Sequence, residues 1–337
     1  MIQELIEKGL TPAGHLHEIV VHMSRRIVVA GSLNMDLVLE AGRIPVPGET
    51  LACSELVTVP GGKGANQACA AARLGGAARM AGQVGNDVFG AELLRSLQLS
   101  GTEISSVRTI AGATGTAVIL VLPNGENSIM ISAGANGSFA LDASGLEALQ
   151  LRAGDCLLAQ LEIPLDTTFA AMRHARERGA VTILDPAPAR PLPAELLRLT
   201  DWLTPNQTEA AILLGEPGLQ IDSYDGAATA ARELRKLGPA GVIVKLGALG
   251  CVIANEAGVR AHSAWPVTAL DTTAAGDVFN AAFAVALMEG QDEDRAARFA
   301  CAAAAISVTR RGAQPSMPTR QEVDDLLQTA TRETICL

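Results

Sequence analysis

Residues 271–288 read DTTAAGDVFNAAFAVALM, and the rest of the chain is most easily read outward from them. A turn of Ala274, Ala275 and Gly276 opens an apolar run of helical length. Several backbone N–H groups are therefore left without intrahelical acceptors at the positive end of the helix dipole. Main chain arranged in this way forms an anion hole. Asp277 falls in the first turn, where its carboxylate can reach a hydroxyl held over that hole. The plainer reading is that Asp277 complements the dipole and Gly276 permits the turn. The dipole favours the ionised carboxylate, which predicts a weak base.

Outward from this stretch, apolar runs of strand length alternate with helical stretches. Residues 26–30 (RIVVA), 77–84, 156–161, 181–185, 201–204 and 241–245 read as buried strands. Residues 64–74, 88–99, 165–178, 207–214 and 226–237 read as helices, as do two long stretches beginning at Gly276 and Asp292. That alternation predicts an α/β fold with a mostly parallel central sheet covered on both faces. Two segments, 36–60 and 114–132, are β-rich without intervening helices, and PNGEN at 123–127 is a hairpin-turn signal. They are expected to form a small antiparallel β lid beside the strand ends. Residues 1–24 fit neither pattern and read as an extension without an assigned role, with Met23 an alternative start.

Composition narrows the function classes. The 337 residues are 48% hydrophobic and 18% charged, enough for a large core. Aromatics are only 3%, which leaves little material for base-stacking platforms. The formal charge of −10 opposes a duplex-binding surface, so nucleic acid is not an expected partner. No apolar run has the length of a membrane span, and a membrane is not an expected partner either. Six cysteines without a CxxC pair read as reduced thiols, and MIQELIEKGL carries charges where a signal peptide would be apolar. The expected location is cytoplasmic. His15, His17 and His22 lie close together and give only a faint metal-site signal.

Four further segments carry candidate chemistry. GGKGANQ at 61–67 has a double glycine for close backbone approach, with Lys63, Asn66 and Gln67 as donors suited to a polyhydroxyl ligand. Its spacing is not that of a P-loop, and an ordinary helix-start loop reads the same way. NQTE at 206–209 follows the strand DWLTP; Asn206 and Glu209 form a capping arrangement by default, and otherwise face nucleotide phosphates and the waters of Mg²⁺. GALG at 247–250 is a glycine turn at the carboxyl end of a strand, where a nucleotide lies in open α/β sheets. Asn34 and Asp36 in GSLNMD alternate after the first strand and either bond sugar hydroxyls or cap a loop.

Taken in order, GSLNMD, PVPGET, GGKGANQA, AGAN, QLEIP, DPAPAR, TPNQTE, DTTAAGD and TRRGAQPSMP resemble the ribokinase branch of the ribokinase/PfkB carbohydrate kinase family, over about 25–327. The resemblance implies a three-layer ribokinase-like catalytic domain over 25–330. It also implies transfer of the γ-phosphate of ATP to O5 of a pentose, D-ribose first, with 2-deoxyribose or another pentose or nucleoside as the alternative.

By the same resemblance, Asp277 is the base and the backbone of Ala274, Ala275, Gly276 and Asp277 is the anion hole. Asn34, Asp36, Gly62, Lys63, Asn66 and Glu162 hold the sugar. Asn206, Glu209, Lys245, Gly247, Gly250 and Cys301 line the site for MgATP. Asp271, Thr273, Ser307, Arg310, Gly312 and Ser316 hold an activating K⁺, several through backbone carbonyls, and the lid pairs two subunits in a homodimer. The nucleotide loop KLGALG departs from the Thr and Ser that family members often carry around these glycines, so Lys245 and Ala248 weaken the expected side-chain contacts. A catalytically silent sugar sensor is the competing class; the joint presence of Asp277, the AAG turn and Glu209 argues against it. A dehydrogenase is disfavoured because no GxGxxG follows the first strand.

Overall fold

The computed structural model describes residues 25–123, 127–329 and 334–336. The extension at 1–24, with its three histidines, and the tip of the turn at 124–126 lie outside the described residues.

The strands are β1 (Arg26–Ala30), β2 (Asn34–Glu40), β3 (Val57–Gly61), β4 (Ala77–Gly85), β5 (Glu103–Ile110), β6 (Gly115–Val121), β7 (Asn127–Ser132), β8 (Cys156–Ala159), β9 (Val181–Leu184), β10 (Trp202–Leu203), β11 (Gly241–Lys245), β12 (Gly250–Asn255), β13 (Gly258–Ser263) and β14 (Thr334–Cys336). The α-helices are α1 (Lys63–Arg73), α2 (Val88–Leu99), α3 (Ala143–Ala148), α4 (Leu165–Glu177), α5 (Ala194–Arg198), α6 (Gln207–Leu213), α7 (Tyr224–Lys236), α8 (Ala275–Met288), α9 (Glu293–Ser307) and α10 (Arg320–Thr329).

The large sheet runs β14-β13-β12-β11-β10-β9-β8-β1-β4-β5. It is parallel from β5 through β11 and antiparallel from β11 to β14. Its inner strands are apolar on both faces because each face is covered. Ile27, Val29, Cys156, Leu158 and Ile243 enter one core with α1, α2, α8, α9 and α10. The alternate residues Val28, Ala30, Leu157, Ala159, Val242 and Val244 enter a second core with α4 to α7. This gives three layers, as expected. Helix starts are locally encoded: Asp87, Ser223 and Asp292 accept from the amides of Gly90, Gly226 and Arg295 in the first turns of α2, α7 and α9.

The second sheet, β3-β2-β6-β7, is the small one expected from 36–60 and 114–132. Its outer pairs, β2–β3 and β6–β7, are antiparallel, while the central pair β2–β6 is parallel, so the sheet is mixed at its centre. The reason is that β2 follows directly from β1 and β6 directly from β5, two parallel strands of the large sheet. Both chains leave that sheet in the same direction. This geometry carries Asn34 and Asp36 from β2 to the carboxyl ends of the large sheet.

Candidate active site

Asp277 sits in the first turn of α8, preceded by Ala274 at φ 60°, a left-handed conformation unusual for a residue with a side chain. That cap turns the chain so that, among the described residues, the amides of Gly276 and Asp277 have no backbone acceptor. The Asp277 carboxylate is 5% exposed. Asn66 Nδ2 donates to one oxygen at 3.0 Å and Gln67 Nε2 to the other at 3.0 Å. Both donors lie on α1, whose buried start is made possible by glycine. A Cβ on Gly62, at φ 87°, would stand 2.5 Å from the Asn34 amide nitrogen, and one on Gly61 would stand 2.2 Å from an Asp36 carboxylate oxygen.

Around this pair a polar cluster is already assembled. Glu162 Oε2 accepts from Ser32 Oγ at 2.5 Å, from the Lys63 amide at 3.1 Å and from Asn34 Nδ2 at 3.4 Å. Asn136 Nδ2 donates to Asn34 Oδ1 at 2.8 Å and fixes the flip of that amide. Burial first, then the Glu162 and Asp277 carboxylates, pushes Asp36 up to about 7. Burial likewise raises Asp277 to about 6; Lys63 opposes the rise, Asp185 adds to it, and the two amide donors lower it. The weak base expected from the dipole alone is therefore corrected, because desolvation outweighs the helix N-terminus. Burial pulls the Lys63 ammonium down, but Asp277, Asp185, Glu162 and Glu209 together hold it above its ordinary value.

The opposite side of the AAG turn borders a cavity of about 290 Å³. Lys245, Gly247, Ala248, Gly250, Ala275, Gly276 and Cys301 line it, as the sequence leads one to expect for most of them. Trp265, Val267, Phe279, Ala304 and Val308 complete it and carry no motif signal. A Cβ on Gly250, at φ 102°, would stand 2.0 Å from the His262 carbonyl oxygen, so this turn admits only glycine. Cys301 lies 3.9 Å from the Cys251 thiol, and both are buried.

Asn206 and Glu209 make the full capping box: Glu209 Oε2 accepts the Asn206 amide at 2.8 Å, and Asn206 Oδ1 accepts the Glu209 amide at 2.9 Å. The default reading of NQTE therefore holds, and it leaves Asn206 Nδ2 and Glu209 Oε1 for a ligand. Burial raises Glu209, Lys245 opposes that and Asp185 reinforces it.

Of the set proposed for K⁺, Asp271 joins Thr273 and Gly312, its two oxygens accepting from the Thr273 amide at 2.9 Å and the Gly312 amide at 2.8 Å. Ser307 Oγ donates to the Ala304 carbonyl and Ser316 Oγ to the Ala313 carbonyl, each at 2.8 Å. The Arg310 guanidinium turns to Glu322, leaving only its main chain for the site. Among the described residues no trio of His, Cys, Asp or Glu is gathered for a metal. A cation held here would be held by main-chain carbonyls, a donor set that fits a monovalent ion.

Asp185, Gln160, Ser32 and Asn136 belong to the site and were not singled out from sequence. Each lies inside a segment quoted for the resemblance, Ser32 in GSLNMD, Asn136 in AGAN, Gln160 in QLEIP and Asp185 in DPAPAR, but none was given a role of its own. A shallower depression of about 860 Å³, lined by Arg176, Asp201 and Arg235 among others, lies at the opposite ends of the strands and holds none of these residues.

A buried carboxylate at a helix N-terminus, flanked by a polar cluster on one side and an apolar cleft on the other, defines a group-transfer site between two differently shaped substrates. The chain belongs to the pfkB family of carbohydrate kinases, whose pattern matches residues 24–320. A ribokinase of Bacillus subtilis is 41% identical over 90% of this chain and 99% of its own. A deoxyribokinase of Salmonella typhi is 35% identical over 89% and 98%. The structure of an Arabidopsis thaliana ribokinase complexed with ribose and ATP superposes with a TM-score of 0.84 at 36% identity, covering 91% of this chain and all of that one.

Proposed function

We propose that this protein transfers the γ-phosphate of ATP to O5 of D-ribose, giving D-ribose 5-phosphate and ADP. The observation that carries the reading is the buried Asp277 carboxylate, held by two amide donors from α1 at the open N-terminus of α8. Asn34, Asp36, Gly62, Lys63, Asn66 and Glu162 hold the sugar. Asp277 takes the O5 proton as the O5–P bond forms and the bond from phosphorus to the β-phosphate oxygen breaks. That oxygen leaves with the electron pair on ADP. Because the transition state is loose, the proton leaves late and the protein chiefly positions groups and stabilises charge. A value near 6 keeps Asp277 ionised at neutral pH while making it more basic than an ordinary carboxylate. The amides of Gly276 and Asp277 face the charge that develops on the transferred group.

Asn206, Glu209, Lys245, Gly247, Gly250 and Cys301 line the nucleotide side, where the apolar wall suits a purine. Glu209 and Asn206 would hold the waters of Mg²⁺, which would neutralise charge on the nucleotide phosphates. Asp271, Thr273, Ser307, Arg310, Gly312 and Ser316 would hold K⁺, which would supply a fixed positive charge. A homodimer is supported by the edge strands of the small sheet and the loop after β2, where Ile44, Val46, Val57, Ile129, Met130 and Ile131 are exposed. A cytoplasmic location is supported by the five free cysteines among the described residues.

The second reading, 2-deoxy-D-ribose as substrate, is favoured by the deoxyribokinase relative. ADP release from MgATP with each sugar, with and without K⁺, separates them. Faster turnover on ribose, raised by K⁺, is expected. Faster turnover on the deoxy sugar moves the substrate, and no turnover on either overturns the reading.

A further inference from the structure

We infer that the Lys245 ammonium, braced by Asp185 over the turn that opens α8, is a ligand of the transferring phosphoryl group in this chain. The inference rests on the phosphoryl-transfer reading above and reverses the expectation that KLGALG weakens the phosphate contacts.

Lys245 ends β11, and its amide donates to the Pro205 carbonyl at 2.9 Å, which fixes its backbone beside the NQTE cap. Its side chain is 11% exposed, so it is not a solvated surface lysine. Nζ lies 3.2 Å from Asp185 Oδ1 and 3.4 Å from where a Cβ on Gly276 would be. The ammonium therefore stands directly over the first turn of α8 and at the mouth of the nucleotide cavity.

A cation at a helix N-terminus adds positive potential to positive potential and is unfavourable there unless an anion joins it. Asp185, 2% exposed, supplies one negative charge. An ammonium carries three donors, and among the described residues Asp185 is its one acceptor. The remaining donors stand beside the turn whose amides are open, and a phosphoryl group held at that turn would take them.

Asp185 does more than anchor the lysine. Gln67 Nε2 donates to Asp185 Oδ2 at 3.0 Å and to Asp277 Oδ1 at 3.0 Å, and Gln160 Nε2 donates to Gln67 Oε1 at 2.6 Å. A continuous chain from Lys245 through Asp185 and Gln67 to Asp277 thus links the group that meets the phosphoryl with the group that takes the proton. Asp185 is a positioning residue for both ends.

The test compares wild type with Lys245→Met, Lys245→Arg and Asp185→Asn, each checked for folding by its melting curve and by calorimetric ribose binding. Lys245→Met is expected to lower kcat about 10²-fold, the loss typical of removing one charge-stabilising donor. Its ribose Kd should stay within about twofold, and Lys245→Arg should recover most of the loss. Binding of ADP with aluminium fluoride and ribose, read by calorimetry, should weaken in Lys245→Met more than binding of ADP alone. Asp185→Asn removes a charge that raises Asp277, so the acidic limb of kcat/KM should move to lower pH.

A Lys245→Met protein with kcat within about threefold of wild type, or with ADP and its aluminium fluoride complex weakened equally, overturns the inference and leaves the kinase reading standing. A wild-type protein that releases no ADP with any pentose overturns the kinase reading and the inference with it.

Discussion

On the side of Asp277 that we propose for the sugar the side chains are already held in place. Glu162 accepts three hydrogen bonds, Asn136 fixes Asn34, and Asn66 and Gln67 hold the carboxylate. On the side that we propose for the nucleotide the cavity offers Gly247, Gly250, Ala275, Gly276, Ala304 and Val308, with one lysine, Lys245, in its lining. The two sides differ in what recognition demands. A polyhydroxyl ligand must replace water's hydrogen bonds one for one, and an unmatched buried donor or acceptor costs about 1–3 kcal/mol. A purine is bound by area and by close approach of backbone, for which small residues serve. The polar side also carries a stability cost, because several carboxylates share one buried volume.

The largest expected effect breaks the centre of this comparison. Asp277→Asn should lower kcat by about 10³-fold, within the range for loss of a general base, while ribose KM changes less than about threefold. In wild type the group must be ionised to accept a proton, so kcat/KM should fall as pH drops through about 6. A normal kcat in the variant removes Asp277 from the chemistry.

Each side can next be perturbed alone. Asn34→Ala should raise ribose KM about tenfold or more, from the loss of a buried hydrogen-bonding amide, with ATP KM unchanged. Ala304→Leu projects bulk into the cavity from a partly exposed position and should raise ATP KM several-fold, about 1 kcal/mol or more of overpacking, with ribose KM unchanged. If either variant moves both KM values together, the two sides are not separable as described.

The smallest effect concerns stability without substrate. Asp36 is raised from 3.8 to about 7 in the folded protein, so the folded state binds its proton more tightly than the unfolded state does. Folding stability is therefore lost as pH rises between those values, and the cost is fully present above 7. Asp36→Asn should raise Tm at pH 8 by about 2 °C or more, with the gain shrinking toward pH 4. A Tm that falls at pH 8 would mean that the carboxylate is stabilising there.

Much of the large sheet and of the polar cluster around Asp277 was legible in the sequence, for physical reasons. β1, α2 and β11 follow from apolar runs and capping residues whose bonds are local. Asn34, Asp36, Asn66, Glu162 and Asp277 carry chemistry on their own side chains, so motif spacing exposes them. β5 and β13 were not foreseen, because partly exposed strands lack a clear apolar run; β12 was missed although residues 251–254 form an apolar, buried run. The parallel centre of the small sheet could not be read either, since it depends on how β1 and β5 leave the large one. The cavity wall was largely silent: Val267, Ala304 and Val308 act by shape, and nothing in their local sequence distinguishes them from core. Asp185 was hidden for a different reason, because its partners Gln67 and Lys245 are far away in the chain and only the fold brings them to 3.0 and 3.2 Å.

The most direct test of the central claim is the position of the phosphate in the product. The purified protein is incubated with MgATP and ¹³C-labelled D-ribose, and the product is read by ³¹P and ¹³C NMR. A single phosphomonoester coupled to C5, formed by wild type and absent with Asp277→Asn, is the predicted result. Phosphate on the anomeric oxygen, or inorganic phosphate as the sole product, would contradict the account.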